Sequence, residues 1–308
     1  MTKSRGKILV IRGGAIGDFI LTLPVLSALR AQFPDTHLEV LGYSHITELA
    51  REGGLVEDVR HIEARPLAAF FSRGLELEPG LVGYFAGFSI ILSYLYDPDL
   101  LFQSSVVSCS DAQFIVAPHR PDESQPVHAT EVFLKPLERL AIFGADPVPR
   151  LSFSPQTNGV SGHSFLALHP GSGSEKKNWP ETRWAELVQM LVSQTPHRLL
   201  LVGGEAEGAR LERLMSLIPA GRGRLLRNSP LVEVGRTLQH CAGFIGHDSG
   251  ITHLAAAVGL KTLVLWGESN EHIWRPRSER ATIVRNPGGI AAVTPAEVLN
   301  KSNEMLRS

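Results

Sequence analysis

At 308 residues the chain is long for one hydrophobic core and suits two domains of ordinary size. With 43% apolar and 20% charged residues it excludes a disordered polymer, and a formal net charge of −1 argues against a general nucleic-acid binder. Cys109 and Cys241 are too few for a disulfide framework and lack metal-ligand spacing, so they read as reduced thiols of a cytoplasmic protein. The longest apolar stretch, Leu81 to Leu95, contains glycines and falls short of the ~20 residues of a membrane span. The opening MTKSRGKILVIRGG has too short an apolar run for a signal peptide.

The apolar run Lys7–Arg12 (KILVIR) predicts a buried strand. Phe19, Ile20, Leu23, Leu26, Leu29 and Phe33 follow at helical spacing, with Pro24 placed to kink or restart the helix. Strands are predicted over His37–Tyr43, Val59–Ile62, Ser89–Ser93 and Gln113–Val116, and a long helix over Thr130–Phe143. The polar, aperiodic SPQTNGVSGHS (Ser154–Ser164) reads as a linker, dividing the chain into domains 1–156 and 157–308. Beyond it, strands are predicted at Ser164–His169, Arg198–Gly204, Arg224–Leu226, Gly243–Gly246 and Thr262–Trp266. Trp184, Leu187, Val188, Leu191 and Val192 mark one helix face, and Ile251, Leu254, Ala255 and Val258 another. Thr294, Pro295 and Glu297 form the start signal of a last helix. Strands alternating with helices predict an α/β protein of two parallel sheets, with ligands at the carboxyl ends of the strands.

Three loops stand where a strand hands over to a helix. In GGAIGD (Gly13–Asp18), Gly13, Gly14 and Gly17 allow a sharp turn and close approach, but the pattern is not the dinucleotide fingerprint GxGxxG. Asp18 falls at a helix start, where capping alone is a sufficient reason for a carboxylate. In HPGSGSEKKNWP (His169–Pro180), Ser172, Gly173 and Ser174 offer hydroxyls and N–H groups, and Lys176 and Lys177 add charge before a helix. That combination predicts phosphate contact, although it is no Walker A loop. In GHDSGITHLAAAVG (Gly246–Gly259), Asp248, Ser249, Gly250, Thr252 and His253 gather at a strand-to-helix turn, which together points to a site. Asp97-Pro98-Asp99 reads as a turn rather than a metal-binding DxD, and no metal is assigned.

Together the three loops resemble glycosyltransferase family 9, the ADP-heptose:lipopolysaccharide heptosyltransferase type. ILVIRGGAIGDFILTLPVLSALR, HPGSGSEKKNWPETRWAEL and FIGHDSGITHLAAAVGLKTLVLWG carry the resemblance, in order, across both ends of the chain. It implies a GT-B fold of two Rossmann-like domains facing across a cleft, with acceptor bound by the first and nucleotide sugar by the second. It implies a metal-independent, inverting transfer in which Asp18 matches the proposed base and Lys177 a lysine on the donor phosphate. Asp248, Thr252 and His253 match the donor segment, with Ser172, Gly173, Ser174, Ser249 and Gly250 beside them, and Glu205 matches an acidic residue on the ribose. Gly13, Gly14 and Gly17 would lie on the acceptor side.

The chain departs from that pattern at Gly13, usually bulky and apolar, and at His247, where asparagine is common. Glu268 and Asn270 stand for a usual proline and aspartate. The implied partners are an ADP-linked sugar, as substrate rather than cofactor, and a glycolipid or oligosaccharide acceptor. Peripheral contact at the inner face of the cytoplasmic membrane would follow. The alternatives are a nucleotide-sugar epimerase, which needs no acceptor, and a silent nucleotide-sugar-binding protein, which turns nothing over.

Overall fold

The computed structural model describes residues 6–154 and 165–307. The chain divides into two compact units, Met1–Pro147 and Val148–Ser308. Of the linker read from the sequence, only Ser154 lies within the described residues.

The first unit runs β1 (Lys7–Arg12), α1 (Ile16–Ile20), α2 (Leu23–Gln32), β2 (His37–Gly42), α3 (Ser44–Glu52), β3 (Asp58–His61), α4 (Pro79–Ala86), β4 (Ile90–Ser93), α5 (Leu101–Val107), β5 (Gln113–Val116) and α6 (Ala129–Leu134). Its five strands are all parallel, in the order β3-β2-β1-β4-β5. β1 is central and covered on both faces, so it is a near-continuous apolar run rather than an alternating one. Leu9, Ile11, Leu41, Phe70, Phe85 and Phe102 centre the core on one side of it.

Pro24 restarts the helix, as its lack of an N–H dictates: α1 ends at Ile20 and α2 opens with Pro24 in its first turn. The single long helix expected over Thr130–Phe143 is not formed. α6 stops at Leu134 and a 3-10 turn takes over from Lys135 to Leu140. The cause is Pro136, whose ring clashes with the carbonyl four residues earlier and cannot donate back to it.

The second unit runs β6 (Phe165–His169), α7 (Glu181–Gln194), β7 (Arg198–Gly203), α8 (Arg210–Met215), β8 (Gly223–Arg227), α9 (Leu231–Leu238), β9 (Gly243–His247), α10 (Gly250–Ala257), β10 (Thr262–Leu265), α11 (Glu271–Trp274), β11 (Ala281–Val284) and α12 (Pro295–Arg307). Six parallel strands stand in the order β11-β10-β9-β6-β7-β8. β11 was not anticipated; it is a short edge strand with only Val284 buried. The helix start at Pro295 is as the sequence predicts, with the Glu297 N–H donating to Thr294 Oγ1 at 3.3 Å.

Both strand orders reverse direction once. In the first unit the reversal lies between β1 and β4, in the second between β6 and β9. At such a switch point the neighbouring loops diverge and leave a crevice at the carboxyl ends of the strands. The three loops singled out in the sequence leave β1, β6 and β9. Among the described residues no helix is long and apolar enough to cross a membrane.

Candidate functional site

In the first unit the chain leaves β1 through Gly13 and Gly14. Gly14 adopts a left-handed φ of +98°, and a Cβ there would stand 3.0 Å from Asp18 Oδ2. That turn lets the Asp18 carboxylate fold back and accept the Ala15 N–H at 3.1 Å. The capping role is therefore real, yet the side chain stays about a quarter exposed and available to solutes. Gly13 is half-buried and Gly17 lies within α1.

Behind Asp18 lies Arg12, a residue the sequence reading passed over as part of a strand. Its side chain is almost fully buried, 2% exposed. It donates to the His119 carbonyl at 2.8 Å and to the Asp18 carbonyl at 3.4 Å, and approaches Asp18 Oδ1 to 4.0 Å. The guanidinium lies over the Phe133 ring at 4.5 Å and near the Tyr94 ring at 5.6 Å. Burial pulls its pKa below the ordinary arginine value, partly opposed by the Asp18 charge.

A cavity of about 210 Å³ opens at the carboxyl ends of β4 and β5, lined by Leu95, Tyr96, Gln103, Val116 and His119 among others. Tyr96 is 70% exposed and its ring lies 4.8 Å from that of His119. The carbonyl of His119 holds Arg12, so this cavity adjoins the Asp18 turn. Asp97 faces inward along the chain: its carboxylate accepts the Phe102 and Gln103 N–H groups at the start of α5.

In the second unit the loop after β6 is braced from three sides. Ser172 Oγ lies 2.8 Å from both the Ser174 carbonyl and Asn178 Oδ1, and accepts the Ser174 N–H at 3.3 Å. Arg210 donates to the Pro170 carbonyl at 3.2 Å. Glu207, buried, accepts the Gly204 N–H at 2.5 Å and lies 3.7 Å from His169 Nε2. A Cβ on Gly171 would fall 2.0 Å from Glu207 Oε1, so glycine is required there.

His247, at the end of β9, is the third brace. It is fully buried and its Nε2 accepts two N–H groups, from the Trp179 backbone at 2.9 Å and the Trp184 indole at 3.3 Å. Nε2 must then be unprotonated, which puts the proton on Nδ1, 3.1 Å from the Gly171 carbonyl. Burial holds its pKa down to about 3, and that of His169 to about 4.

Lys177 and Asp248, distant in sequence, meet: Nζ donates to Asp248 Oδ2 at 2.6 Å. Asp248 is buried, with 8% of its side chain exposed, while Lys177 is 40% exposed. Lys177 therefore bridges a buried anion and open solvent, with two N–H groups left for a ligand. Ser249 caps α10, its Oγ accepting the Thr252 N–H at 3.4 Å and lying 3.4 Å from His169 Nδ1. Thr252 Oγ1 donates to the His247 carbonyl.

Of the residues read from the sequence, Ser172, Ser174, Lys177, Asp248, Ser249 and Thr252 are thus tied into the crevice between β6 and β9. Gly173 is exposed on the loop between them and Gly250 opens α10. His253 is buried in the first turn of α10, and Glu205 is exposed after β7. Arg12, His247, Glu207 and Arg210 do not stand out as site residues in the sequence. Only His247 carried a signal, as a departure from the family pattern.

The amino-acid pattern of residues 145–297 matches the family model "Glycosyltransferase family 9 (heptosyltransferase)". The chain is 23% identical to lipooligosaccharide heptosyltransferase 2 of Haemophilus influenzae, over 97% of this chain and 99% of that one. In structure it is similar to a glycosyl transferase of family 9 from Veillonella parvula, with a TM-score of 0.79, 15% identity and coverage of 100% and 99%. It is also similar to E. coli ADP-heptose LPS heptosyltransferase II, with a TM-score of 0.77, 18% identity and 98% of each chain covered.

Proposed function

We propose that this chain, whose residues 145–297 match the family model of glycosyltransferase family 9, moves heptose from ADP-heptose to a lipopolysaccharide or related surface-glycan acceptor. The observation that carries the reading is the crevice between β6 and β9, where a serine-glycine loop, Lys177 and the capped start of α10 converge. The relatives support the donor: one similar structure is that of an ADP-heptose enzyme. We infer an inner-face, peripheral location from the same acceptor chemistry.

The transfer is an in-line substitution at the anomeric carbon. The acceptor oxygen forms its bond from the face opposite the leaving group, inverting the centre. The bond to the phosphate oxygen breaks, and its electron pair leaves on ADP. The acceptor's proton goes to a base, and Asp18 is the group assigned to take it. Charge grows on the departing diphosphate. Lys177, with two N–H groups beyond its bond to Asp248, and the backbone of the Ser172–Ser174 loop would stabilise it without a metal ion.

Asp248 orients Lys177 by accepting one of its N–H groups. Ser249, Gly250, Thr252 and His253 would shape the pocket around the donor, and Glu205 would reach the ribose. On the acceptor side, Gly13 and Gly14 permit close approach, and the Tyr96–His119 cavity offers an aromatic face for a sugar ring.

The test is a thermal-shift panel with ADP, GDP, UDP and CDP on the wild type and Lys177→Ala. At 100 times its dissociation constant a nucleotide stabilises the fold by about 2.7 kcal/mol. A selective ADP shift that shrinks in the variant is expected. A larger shift with another nucleotide would discard ADP-heptose as donor, and no shift with any would overturn the site.

A further inference from the structure

At the amino ends of the second unit's strands lies a cavity of about 770 Å³ that the transferase reading does not use. Its wall takes residues immediately before four strands: His197 before β7, Ala242 before β9, Lys261 before β10 and Arg280 before β11. Arg307, in the last turn of α12, joins them. The donor loops leave the carboxyl ends of the same sheet, so the two sites stand at opposite poles of one unit.

The cavity wall is chemically one-sided. It carries the cations Lys261, Arg280 and Arg307, the imidazole of His197 and the side-chain amides of Gln194, Gln239 and Asn303, and no carboxylate among the described residues. Cations are expected where helices end, because they meet the unpaired carbonyls there. Arg222 shows what that role looks like when complete: it donates to the carbonyls of Val192, Thr195 and His197 at 2.6, 2.7 and 2.8 Å. The cavity cations are not used up in this way. Arg280 gives one bond, to the Gly259 carbonyl at 3.0 Å, and Lys261 gives a long one, to the Leu306 carbonyl at 3.5 Å. Guanidinium and ammonium groups together carry eight N–H donors on these two side chains, so most remain for a ligand. The volume falls in the range of small-molecule sites, about 300–1,000 Å³.

We propose that this cavity is a second binding site, separate from the donor crevice, for a phosphate-bearing anion: a soluble phosphate ester or the phosphate of a lipid headgroup. Forked guanidinium donors match phosphate oxygens, and concave, cation-lined walls concentrate the field on them.

The experiment is titration calorimetry with inorganic pyrophosphate on the full chain carrying Lys177→Ala, with and without Lys261→Glu and Arg280→Glu. The shared Lys177→Ala background keeps the donor loop the same in both proteins. The expected result is binding that weakens about tenfold or more in the charge-reversed protein and weakens with added salt. Equal affinity in the two proteins overturns the proposal. Cosedimentation with phosphatidylcholine vesicles, with and without phosphatidic acid, separates the sources. Capture by the acidic vesicles, lost on charge reversal, identifies a headgroup; pyrophosphate binding without capture identifies a soluble ligand. Should charge reversal prevent folding, Arg280→Gln, at an exposed position, carries the same test, and unchanged pyrophosphate affinity there also overturns the proposal.

Discussion

The guanidinium of Arg12 approaches the Asp18 carboxylate to 4.0 Å while donating to the same residue's carbonyl at 3.4 Å. Arg12 ends β1 and Asp18 sits in the first helix after it, so one buried side chain reaches both the backbone and the carboxylate of the assigned base. Arg12→Gln should lower turnover at least about tenfold, since a displaced base loses much of its effect. It should also cost on the order of 1–3 kcal/mol in urea unfolding by leaving the His119 carbonyl unpaired. Arg12→Lys should recover little of either, because a point charge cannot span the two carbonyls. Full activity in the lysine variant would rule out the fork as the reason for arginine.

Asp18→Asn should keep its fold, because the amide oxygen can still accept the Ala15 N–H. Its turnover with donor and acceptor should fall about 10²–10⁴-fold, the usual contribution of a general base. ADP binding, measured by thermal shift, should be unchanged. Near-normal turnover would remove Asp18 from the mechanism.

The Lys177–Asp248 pair predicts a non-additive double-mutant cycle in stability. Lys177→Ala strands a buried carboxylate, which Asp248→Asn then relieves. The coupling should be about 1 kcal/mol, modest because the lysine is 40% exposed and water screens it. For ADP affinity the double variant should be no better than Lys177→Ala alone, since the cation is absent from both.

His247 and His169 make the second unit acid-sensitive. Their folded pKa values, held to about 3 and about 4 by burial, lie below the unfolded value near ~6.5. Below that value the unfolded chain takes up protons that the folded chain refuses. Their contribution is therefore full above about pH 6.5 and is lost as pH falls toward the folded values. Between pH 7 and 5 each histidine should remove about 2 kcal/mol. His247→Asn should flatten part of that slope in urea titrations while keeping the loop, because an amide can both donate to Gly171 and accept from Trp179. An unchanged slope would assign the acid loss elsewhere.

The strands were legible because a parallel sheet buries both faces of its strands: KILVIR and SFLALH are continuous apolar runs. The glycine-bearing turns were legible because Gly14 and Gly171 stand where only glycine fits. What the sequence could not show were the long-range partners. Lys177 and Asp248 are 71 residues apart, and Arg12 and His119 are 107 apart. Glu205 was singled out by the family resemblance, and Glu207, two residues on, turns inward to Gly204. One turn of chain separates a solvated acid from a buried one, and spacing alone does not decide between them. The helix over Thr130–Phe143 is broken for a local reason in plain view, because Pro136 interrupts the apolar periodicity.

The imidazole of His247 has a consequence for how a donor would arrive. By holding Gly171 on one side and Trp179 on the other, it staples both ends of the loop after β6 to the neighbouring strand. The entropy of ordering that loop is therefore lost when the chain folds, not when a nucleotide binds. A ligand meeting a cradle already set should associate with little delay for rearrangement. Weakening the staple should slow and loosen capture even though no atom of His247 need touch the ligand.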